Sequence, residues 1–256
     1  MTTASEMKGR HALVTGGSSG IGEAIADALA GHGANLVLVA RDPDRLEKTA
    51  AGLRERHSVV VRCVPLDLDE PGAPHRLLEV VREAGVEVEM LVNNAGTSSR
   101  ALVADSDPAA LRRLVDLNAG ALTELTALVV AGMVRRGRGS VVNIASTGAY
   151  TPAPVLAAYA ASKAYVLSFT QALWAETRSS GVRVVAVSPG PTRTAMNARP
   201  GRGKRDPAQV ARTALAALER RGPAVVDGHL NKLTAFLLRR TPLRLVAALA
   251  LRATQP

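Results

Sequence analysis

Aromatic residues and cysteine are scarce in this sequence of 256 residues. Aromatic residues make up only 2% of the chain, which argues against the stacking platforms on which proteins bind single-stranded nucleic acid. The one cysteine, Cys63, cannot form an internal disulfide framework. The five histidines are scattered without the spacing of metal ligands, so we expect no metal site.

A secretory signal and a disordered composition are also missing. The start of the chain, Met1 to Lys8, is polar and has no apolar core, so no signal peptide is expected. Hydrophobic residues at 47% and charged residues at 21% are ordinary values for a globular protein. These features predict one domain over residues 1–256 with a core of its own, located in the cytoplasm.

Short apolar runs alternate with stretches that are long enough for helices. Because the runs are continuously apolar, they predict strands that are buried on both faces, as in a parallel sheet. Three Asp-Pro pairs, at Asp42, Asp107 and Asp206, mark helix starts. The alternation predicts an α/β fold, a doubly wound (Rossmann-like) parallel sheet of about seven strands with helices on both faces. Six strands are located by the runs 11–16, 35–40, 59–67, 89–96, 140–146 and 182–190.

The net positive charge of the chain comes entirely from its last quarter. Residues 1–192 hold 19 basic and 19 acidic side chains, whereas residues 193–256 hold 13 basic and 3 acidic ones and so carry the whole net charge of +10. We interpret residues 191–256 as a substrate loop (Ala195 to Arg205), a pocket cover and a basic apolar C-terminal segment. Thr241-Pro242 interrupts the apolar stretch from Leu230 to Arg252, and neither half is long enough to span a bilayer.

Two interpretations of this segment stay open. It can cover the substrate pocket and form a subunit interface, or its charge can attract an anionic membrane surface, an acidic carrier protein or a phosphorylated carrier such as coenzyme A. The first makes a homodimer or homotetramer the expected assembly, and the second allows peripheral membrane association. No nucleic-acid partner is expected, because the sequence has no recognisable binding motif.

A glycine-rich turn follows the first predicted strand directly. Residues 15–22 read Thr-Gly-Gly-Ser-Ser-Gly-Ile-Gly and precede a helical stretch, an arrangement that brings a pyrophosphate to a helix N-terminus. The spacing Gly16-x-Ser18-x-Gly20 also matches the nucleophile elbow of α/β-hydrolases. An elbow needs preceding strands to form its oxyanion hole, and only 15 residues precede this motif, so the nucleotide-binding interpretation is favoured.

Further motifs follow in a fixed order along the chain: Asn93-Asn94-Ala95-Gly96, Asn118, Ser146, Tyr159-x-x-x-Lys163 and Ser188-Pro189-Gly190. With the glycine turn, this set resembles the short-chain dehydrogenase/reductase family over about residues 8–195. The resemblance implies hydride transfer between a nicotinamide cofactor and a carbonyl or alcohol. It implies that Asn118, Ser146, Tyr159 and Lys163 are catalytic and that Asn93 contacts the cofactor. Further cofactor contacts are implied for Gly16, Ser18, Ser19, Gly20, Ile21, Gly22, Arg41, Asp67, Leu68, Asn94, Ala95, Gly96, Tyr159, Lys163, Pro189, Gly190 and Thr192.

Tyr159 and Lys163 are four residues apart on a predicted helix and therefore project from one face. A nearby ammonium favours the phenolate and should lower the pKa of the tyrosine. Tyr159 can then protonate a carbonyl oxygen to which Ser146 also hydrogen-bonds. By resemblance, Lys163 also contacts the nicotinamide ribose and Asn118 relays a proton through water. Asn118 can also have a structural role, compatible with the relay, in which it bends a long helix and bonds local backbone groups.

The end of the second strand points to NADP. An acidic residue there would bind the ribose 2′-hydroxyl of NAD, but the strand ends with Ala40 followed by Arg41. A guanidinium matches a 2′-phosphate in charge and geometry. The alternative is that Arg41 pairs with Asp42 or Asp44 in solvent. Asp67 resembles the residue that contacts the adenine amine in the family.

The sequence thus predicts an NADP-dependent carbonyl reductase or alcohol dehydrogenase. Small and aliphatic residues near the predicted pocket, including Val155, Leu156 and Met196, favour an apolar ketone, aldehyde or acyl substrate. A non-catalytic NADP-binding sensor or scaffold is the alternative, although such a protein has no chemical need for Ser146, Tyr159 and Lys163.

Overall fold

Seven parallel strands form a single sheet in the computed structural model, which describes residues 3–198, 203–220, 222–238, 240–242, 244 and 246–247. The sheet has the order β3-β2-β1-β4-β5-β6-β7, and every neighbouring pair is parallel. The strands are β1 (His11–Thr15), β2 (Asn35–Ala40), β3 (Val61–Pro65), β4 (Val88–Asn93), β5 (Gly139–Ile144), β6 (Val182–Ser188) and β7 (Ala224–Val226).

Helices cover both faces of the sheet, as the sequence predicted. They are α1 (Gly20–Gly31), α2 (Pro43–His57), α3 (Ala73–Glu83), α4 (Pro108–Val115), α5 (Leu122–Arg136), α6 (Ala157–Thr177), α7 (Pro207–Glu219) and α8 (His229–Leu238). One apolar core packs α1, α2 and α7 on the sheet, and a second packs α3, α5 and α6 on the opposite face. Successive strand residues such as Ala12 and Leu13 belong to different cores, because side chains alternate across a strand. Buried faces on both sides explain the continuously apolar strands.

The strand order reverses between β1 and β4, and this position fixes where a ligand can bind. β1 pairs with β2 on one side and with β4 on the other. The crossovers on the two sides run in opposite directions, so a crevice opens at the carboxyl ends of these two strands. The glycine turn follows β1 and the Asn93–Gly96 motif follows β4, so both lie at this crevice.

Helix starts at the three Asp-Pro pairs are confirmed. The side chain of Asp42 accepts a hydrogen bond from the Arg45 backbone N–H at 3.0 Å, and Asp107 and Asp206 accept equivalent bonds from the first turns of α4 and α7. Such caps satisfy backbone N–H groups that have no partner inside the helix. β7 was not located by the sequence, because three residues after Gly222-Pro223 give too short an apolar run.

One continuous helical stretch, Pro108–Arg136, is long and apolar enough to cross a membrane by length and composition alone. Its most apolar window has a mean hydropathy of 1.5, and 44% of that window is buried inside the protein. The stretch consists of α4, a π-helical turn over Asp116–Ala121 and α5. Because α5 packs on the sheet, the apolar composition is that of a core helix.

The predicted substrate loop returns to the body of the protein at Arg205. The Arg205 backbone N–H donates to the Pro191 carbonyl at 2.9 Å, and its guanidinium donates to the fully buried carboxylate of Asp227. Thr213 on α7 donates to the same carboxylate. Both ends of the loop are therefore held beside β6 and β7. Residues 199–202, Arg239 and most of the segment beyond Arg244 lie outside the described residues.

Candidate active site

The turn between β1 and α1 depends on glycine at two positions. Gly16 has a φ of +65°, in the left-handed region that favours glycine, and a Cβ added there would lie 2.7 Å from Asn94 Nδ2. A Cβ on Gly22 would lie 2.2 Å from the Gly16 carbonyl oxygen. Gly22 therefore permits the close approach of α1 to the turn, which gives the chain its tight reversal at the crevice.

Thr15 and Asn94 fasten this turn to the end of β4. The Thr15 hydroxyl accepts hydrogen bonds from the backbone N–H groups of Asn94 and Ala95, both at 3.0 Å. The Asn94 amide in return donates to the carbonyls of Thr15 and Gly16 at 3.0 and 3.2 Å. Asn94 therefore supports the glycine turn through its side chain. The hydroxyl of Thr15 has a direct structural role that the sequence analysis did not assign.

The first turn of α1 leaves backbone N–H groups available at the crevice. Ser19 occupies the N-cap position, and its side chain makes no capping hydrogen bond. Ser19, Gly20 and Ile21 line the cleft. Uncapped N–H groups at the positive end of a helix dipole suit an anion such as a pyrophosphate.

The cleft above the carboxyl ends of the strands has a volume of about 790 Å³. It brings together residues that are distant in the sequence, from the turns after β1, β4, β5 and β6 and from α6. The predicted residues that line it are Gly16, Ser19, Gly20, Ile21, Asn94, Ala95, Gly96, Ser146, Tyr159, Lys163, Pro189, Gly190 and Thr192.

Lys163 is buried at the base of this cleft. Only 5% of the side chain is exposed, and its Nζ donates a hydrogen bond to the Ile144 carbonyl at 2.8 Å. Burial lowers the pKa of the ammonium to about 8, because the charged form loses its hydration. An ammonium held against a carbonyl in this way is fixed in place on the same helix face as Tyr159.

The pKa of Tyr159 differs from the expectation drawn from the sequence. Burial raises the pKa of the phenol above its ordinary value, and a hydrogen bond with Ser146 only partly opposes this effect. The prediction of a lowered pKa is therefore wrong, because desolvation of the phenolate outweighs any attraction from Lys163. A raised pKa keeps Tyr159 protonated, which suits a group that donates a proton.

Asn118 lies behind the cleft in the π-helical turn. Its amide donates to the Thr97 carbonyl at 2.9 Å and to Ser162 Oγ at 3.0 Å, while its Oδ1 accepts from the Thr97 backbone N–H at 2.8 Å. A Cβ on Gly96 would lie 3.0 Å from that Oδ1 and 3.5 Å from Lys163 Nζ. Asn118 thus lies in an irregular turn of a long helix, as its structural role requires, but the backbone groups that it bonds belong to Thr97 in the segment after β4 and are not local.

Asn93 does not face the cleft with its side chain. The amide is buried and donates to Thr126 Oγ1 at 2.8 Å and to Asn143 Oδ1 at 2.9 Å. Asn143 continues the chain of bonds to Thr170 on α6. The Asn93 side chain thus joins two strands to α5 and α6, so the cofactor contact that the resemblance implies for Asn93 would have to come from its backbone.

Five other predicted cofactor residues lie outside the set that lines the cleft, and one of them is Gly22 in the glycine turn. Arg41 and Asp67 follow β2 and β3, and Arg41 Nη1 lies 3.7 Å from Asp67 Oδ2, so neither Asp42 nor Asp44 is its partner. The Arg41 side chain is 72% exposed. Leu68 is buried in the core with α3, and the Ser18 carbonyl accepts from Thr49 Oγ1 at 3.4 Å.

The segment between β5 and α6 and the loop after β6 bring apolar side chains to the cleft. Ala153, Leu156 and Met196 line it, and Met196 is 54% exposed. Val155 has a φ of +59°, which is unusual for a β-branched residue, and its carbonyl accepts from the Ala101 backbone N–H at 2.9 Å. This bond ties together the two loops that flank the cleft. Val155 itself is outside the lining set.

A doubly wound sheet with a glycine turn after β1 and a Ser-Tyr-Lys group in its crevice defines an oxidoreductase of the nucleotide-binding α/β type. The sequence model of the short chain dehydrogenases matches residues 10–204. The chain belongs to the short-chain dehydrogenase/reductase family, which excludes the hydrolase interpretation of Gly16 to Gly20.

Relatives of the chain agree with this family membership. An uncharacterized oxidoreductase of Staphylococcus saprophyticus is 34% identical over 218 residues, which cover 84% of this chain and 93% of the relative. The very-long-chain 3-oxoacyl-CoA reductase of Homo sapiens is 35% identical over 71% of this chain, and the match spans 59% of the human protein. A short-chain dehydrogenase from Sphingobium yanoikuyae, solved in complex with NADPH, is 31% identical with a TM-score of 0.81, and the match covers 96% of each chain.

Proposed function

We propose that the protein interconverts a carbonyl and an alcohol by hydride transfer with NADP(H). The observation that carries this proposal is the convergence of Ser146, Tyr159 and Lys163 in one cleft with the glycine turn. Ser146 follows β5, and Tyr159 and Lys163 are on α6, so only folding brings them into the same cleft as the glycine turn after β1. A sensor or scaffold would bind the cofactor without needing this group.

The residues of the cleft fit a dinucleotide. Uncapped N–H groups of α1 and the glycine turn suit the pyrophosphate, and Pro189, Gly190 and Thr192 line the cleft opposite them. NADPH, when bound, supplies the hydride that reduces the carbonyl carbon. Lys163 and Tyr159 lie at the base of the cleft and are the residues that we assign to the ribose and the reacting carbonyl.

The catalytic side chains have different tasks in this proposal. The Tyr159 hydroxyl donates its proton to the carbonyl oxygen, and Ser146 hydrogen-bonds the same oxygen. Lys163 stabilises the phenolate that remains on Tyr159. Asn118 holds Thr97 and Ser162 and so fixes the wall of the cleft behind Lys163; we propose that it also joins a water relay that returns a proton to Tyr159.

Arg41 should set the preference for NADP over NAD. In Arg41→Ala we expect the dissociation constant for NADPH to rise by about tenfold to a hundredfold, because a charge-assisted pair with a phosphate contributes about 1.5–3 kcal/mol. The dissociation constant for NADH should hardly change. Fluorescence titration of both cofactors gives the ratio, and Arg45→Ala, in the exposed first turn of α2, is the matched control. An unchanged ratio in Arg41→Ala would place the phosphate contact elsewhere.

An apolar ketone, aldehyde or acyl derivative is the proposed substrate class. Leu156, Ala153 and Met196 give the cleft an apolar wall, and the human relative is named for the reduction of a 3-oxoacyl-CoA. A panel of carbonyls and alcohols of increasing chain length, followed by NADPH absorbance, tests the proposal. Tight NADPH binding without turnover of any member would favour the sensor alternative.

The domain organisation, location and oligomeric state of the protein are also part of the proposal. We propose that residues 1–256 form one cofactor-binding and catalytic domain, in which residues 191–256 supply the substrate loop and cover. We also propose a cytoplasmic homodimer or homotetramer, which analytical ultracentrifugation of the purified chain would test.

A further inference from the structure

The last described helix, α8, presents apolar side chains to solvent. Leu230, Leu233, Phe236 and Leu237 are 74%, 55%, 52% and 54% exposed, and we call these four residues the α8 face. On the opposite side of the helix, Ala235 is buried with 5% exposure. Four large exposed apolar residues within eight positions are unusual for the free surface of a protein and indicate an interaction site.

The sequence segment that contains the α8 face is basic and has no acidic residue. The 29 residues after Asp227 include no Asp or Glu, and their five basic residues are Lys232, Arg239, Arg240, Arg244 and Arg252. The guanidinium of Arg240 lies 3.7 Å from the centre of the Phe236 ring, so one cation is attached to the apolar face itself. An apolar helix face with cations beside it is typical of segments that lie on anionic lipid surfaces.

The side of α8 opposite the α8 face packs beside the cleft. Asn231 of α8 donates a hydrogen bond to the Asp227 carbonyl at 2.7 Å, and a Cβ on Gly190 would lie 2.3 Å from Asn231 Nδ2. α8 also contacts the 3₁₀ turn Thr147–Tyr150, of which Thr147 and Gly148 line the cleft. A surface that binds the α8 face is therefore separated from the segments beside the cleft by about 10 Å, the thickness of the helix.

A second copy of this chain is a poor occupant for the α8 face. In a two-fold symmetric contact the same patch lies on both partners, so the basic residues beside one α8 would approach those beside the other without a carboxylate from the same segment to compensate. An anionic lipid surface supplies the missing negative charge and also accepts the leucine and phenylalanine side chains.

We propose that the α8 face docks the protein on an anionic membrane surface and so brings the cleft close to lipid. This inference rests on the proposed function in one respect: docking would give the cleft access to an apolar carbonyl substrate. The docking itself follows from the exposure of α8 and the charge of its surroundings.

Sedimentation with vesicles tests the docking directly. The full chain, loaded with NADPH, is mixed with vesicles of phosphatidylcholine alone or with 30% phosphatidylglycerol, at low and high salt. We expect binding to the anionic vesicles only, with a loss at high salt as the charges are screened. Arg240→Glu with Arg244→Glu should weaken this binding about tenfold or more, since each cation near an anionic surface contributes to the affinity. Leu233→Gln with Phe236→Gln should also weaken it.

Matched controls show whether a loss of vesicle binding is specific to the α8 face or follows from any similar change in charge or apolar surface. Lys48→Glu with Arg82→Glu makes the same charge change on α2 and α3, and Val60→Gln with Val80→Gln removes exposed apolar residues elsewhere. Both controls should bind vesicles like the wild type. If they lose as much binding as the α8 variants, or if the wild type does not bind anionic vesicles at low salt, the docking proposal is wrong.

Two further measurements distinguish this proposal from its rivals. Sedimentation velocity without vesicles shows whether the α8 variants change the oligomeric state, and dissociation of an oligomer without any change in vesicle binding would assign the face to a second copy. Turnover of a small water-soluble ketone is measured in the same samples. Failure of turnover together with intact vesicle binding would overturn the proposed function and leave docking in place.

Discussion

Tyr159→Phe should reduce carbonyl turnover by about 10²–10⁴-fold, because the substitution removes the proposed proton donor and little else. The ring that packs beside Gly148 is kept, so the shape of the cleft is preserved. The dissociation constant for NADPH should change by less than about threefold, since no charge is lost. Steady-state turnover and cofactor titration on the same preparation give both quantities.

Tyr165→Phe is the matched control for this substitution. Tyr165 lies on the same helix, is 45% exposed, and exchanges a hydrogen bond with Thr123 at 2.9 Å outside the cleft. It should keep wild-type turnover. Near-normal turnover in Tyr159→Phe with a good substrate would show that another group protonates the carbonyl oxygen.

Reductive activity should fall as the pH rises through about 8, the pKa that burial gives the Lys163 ammonium. Below this pH Lys163 is charged and favours the phenolate that Tyr159 becomes when it donates its proton. Above it the amine is neutral, and the pKa of Tyr159, already raised by burial, leaves the phenol a weaker acid. The pH profile of kcat/KM for the carbonyl substrate at saturating NADPH is the measurement, because this constant includes the proton transfer to the carbonyl oxygen.

Substitutions at Lys163 give this pH profile a direct check. Lys163→Arg should move the fall to higher pH, since a guanidinium stays charged throughout the range. Lys163→Met should lower kcat/KM at every pH by about a hundredfold or more and remove the inflexion near 8. An inflexion that persists in Lys163→Met would belong to a different group.

Much of the fold could be predicted because its signals are local. Six continuously apolar runs give six of the strands, and the Asp-Pro pairs at 42, 107 and 206 mark three helix starts. β7 could not be located from the sequence, because its three residues form a strand by pairing with the end of β6. Its position depends on the long-range partner and not on its own pattern.

The site was less predictable wherever a contact joins distant segments. Motif order placed Ser146, Tyr159 and Lys163 together, but nothing near Asn118 in the sequence indicates that Thr97 is its partner. The direction of the Tyr159 pKa shift could not be predicted from the sequence either, because it depends on how deeply the whole fold buries the phenol. The neighbouring residues on the helix indicate only that a cation is close.

At Gly120 in the π-helical turn, the number of residues matters more than which residue is present. An α-helix advances by about 100° per residue, so one residue more or fewer rotates everything that follows. Gly120 is exposed, with nothing within 4 Å of an added Cβ, and its loss would remove no packing. Deleting it would nevertheless turn α4 against α5 and swing Asn118 away from Thr97. Gly120 is therefore a position whose side chain can change while its presence in the chain cannot.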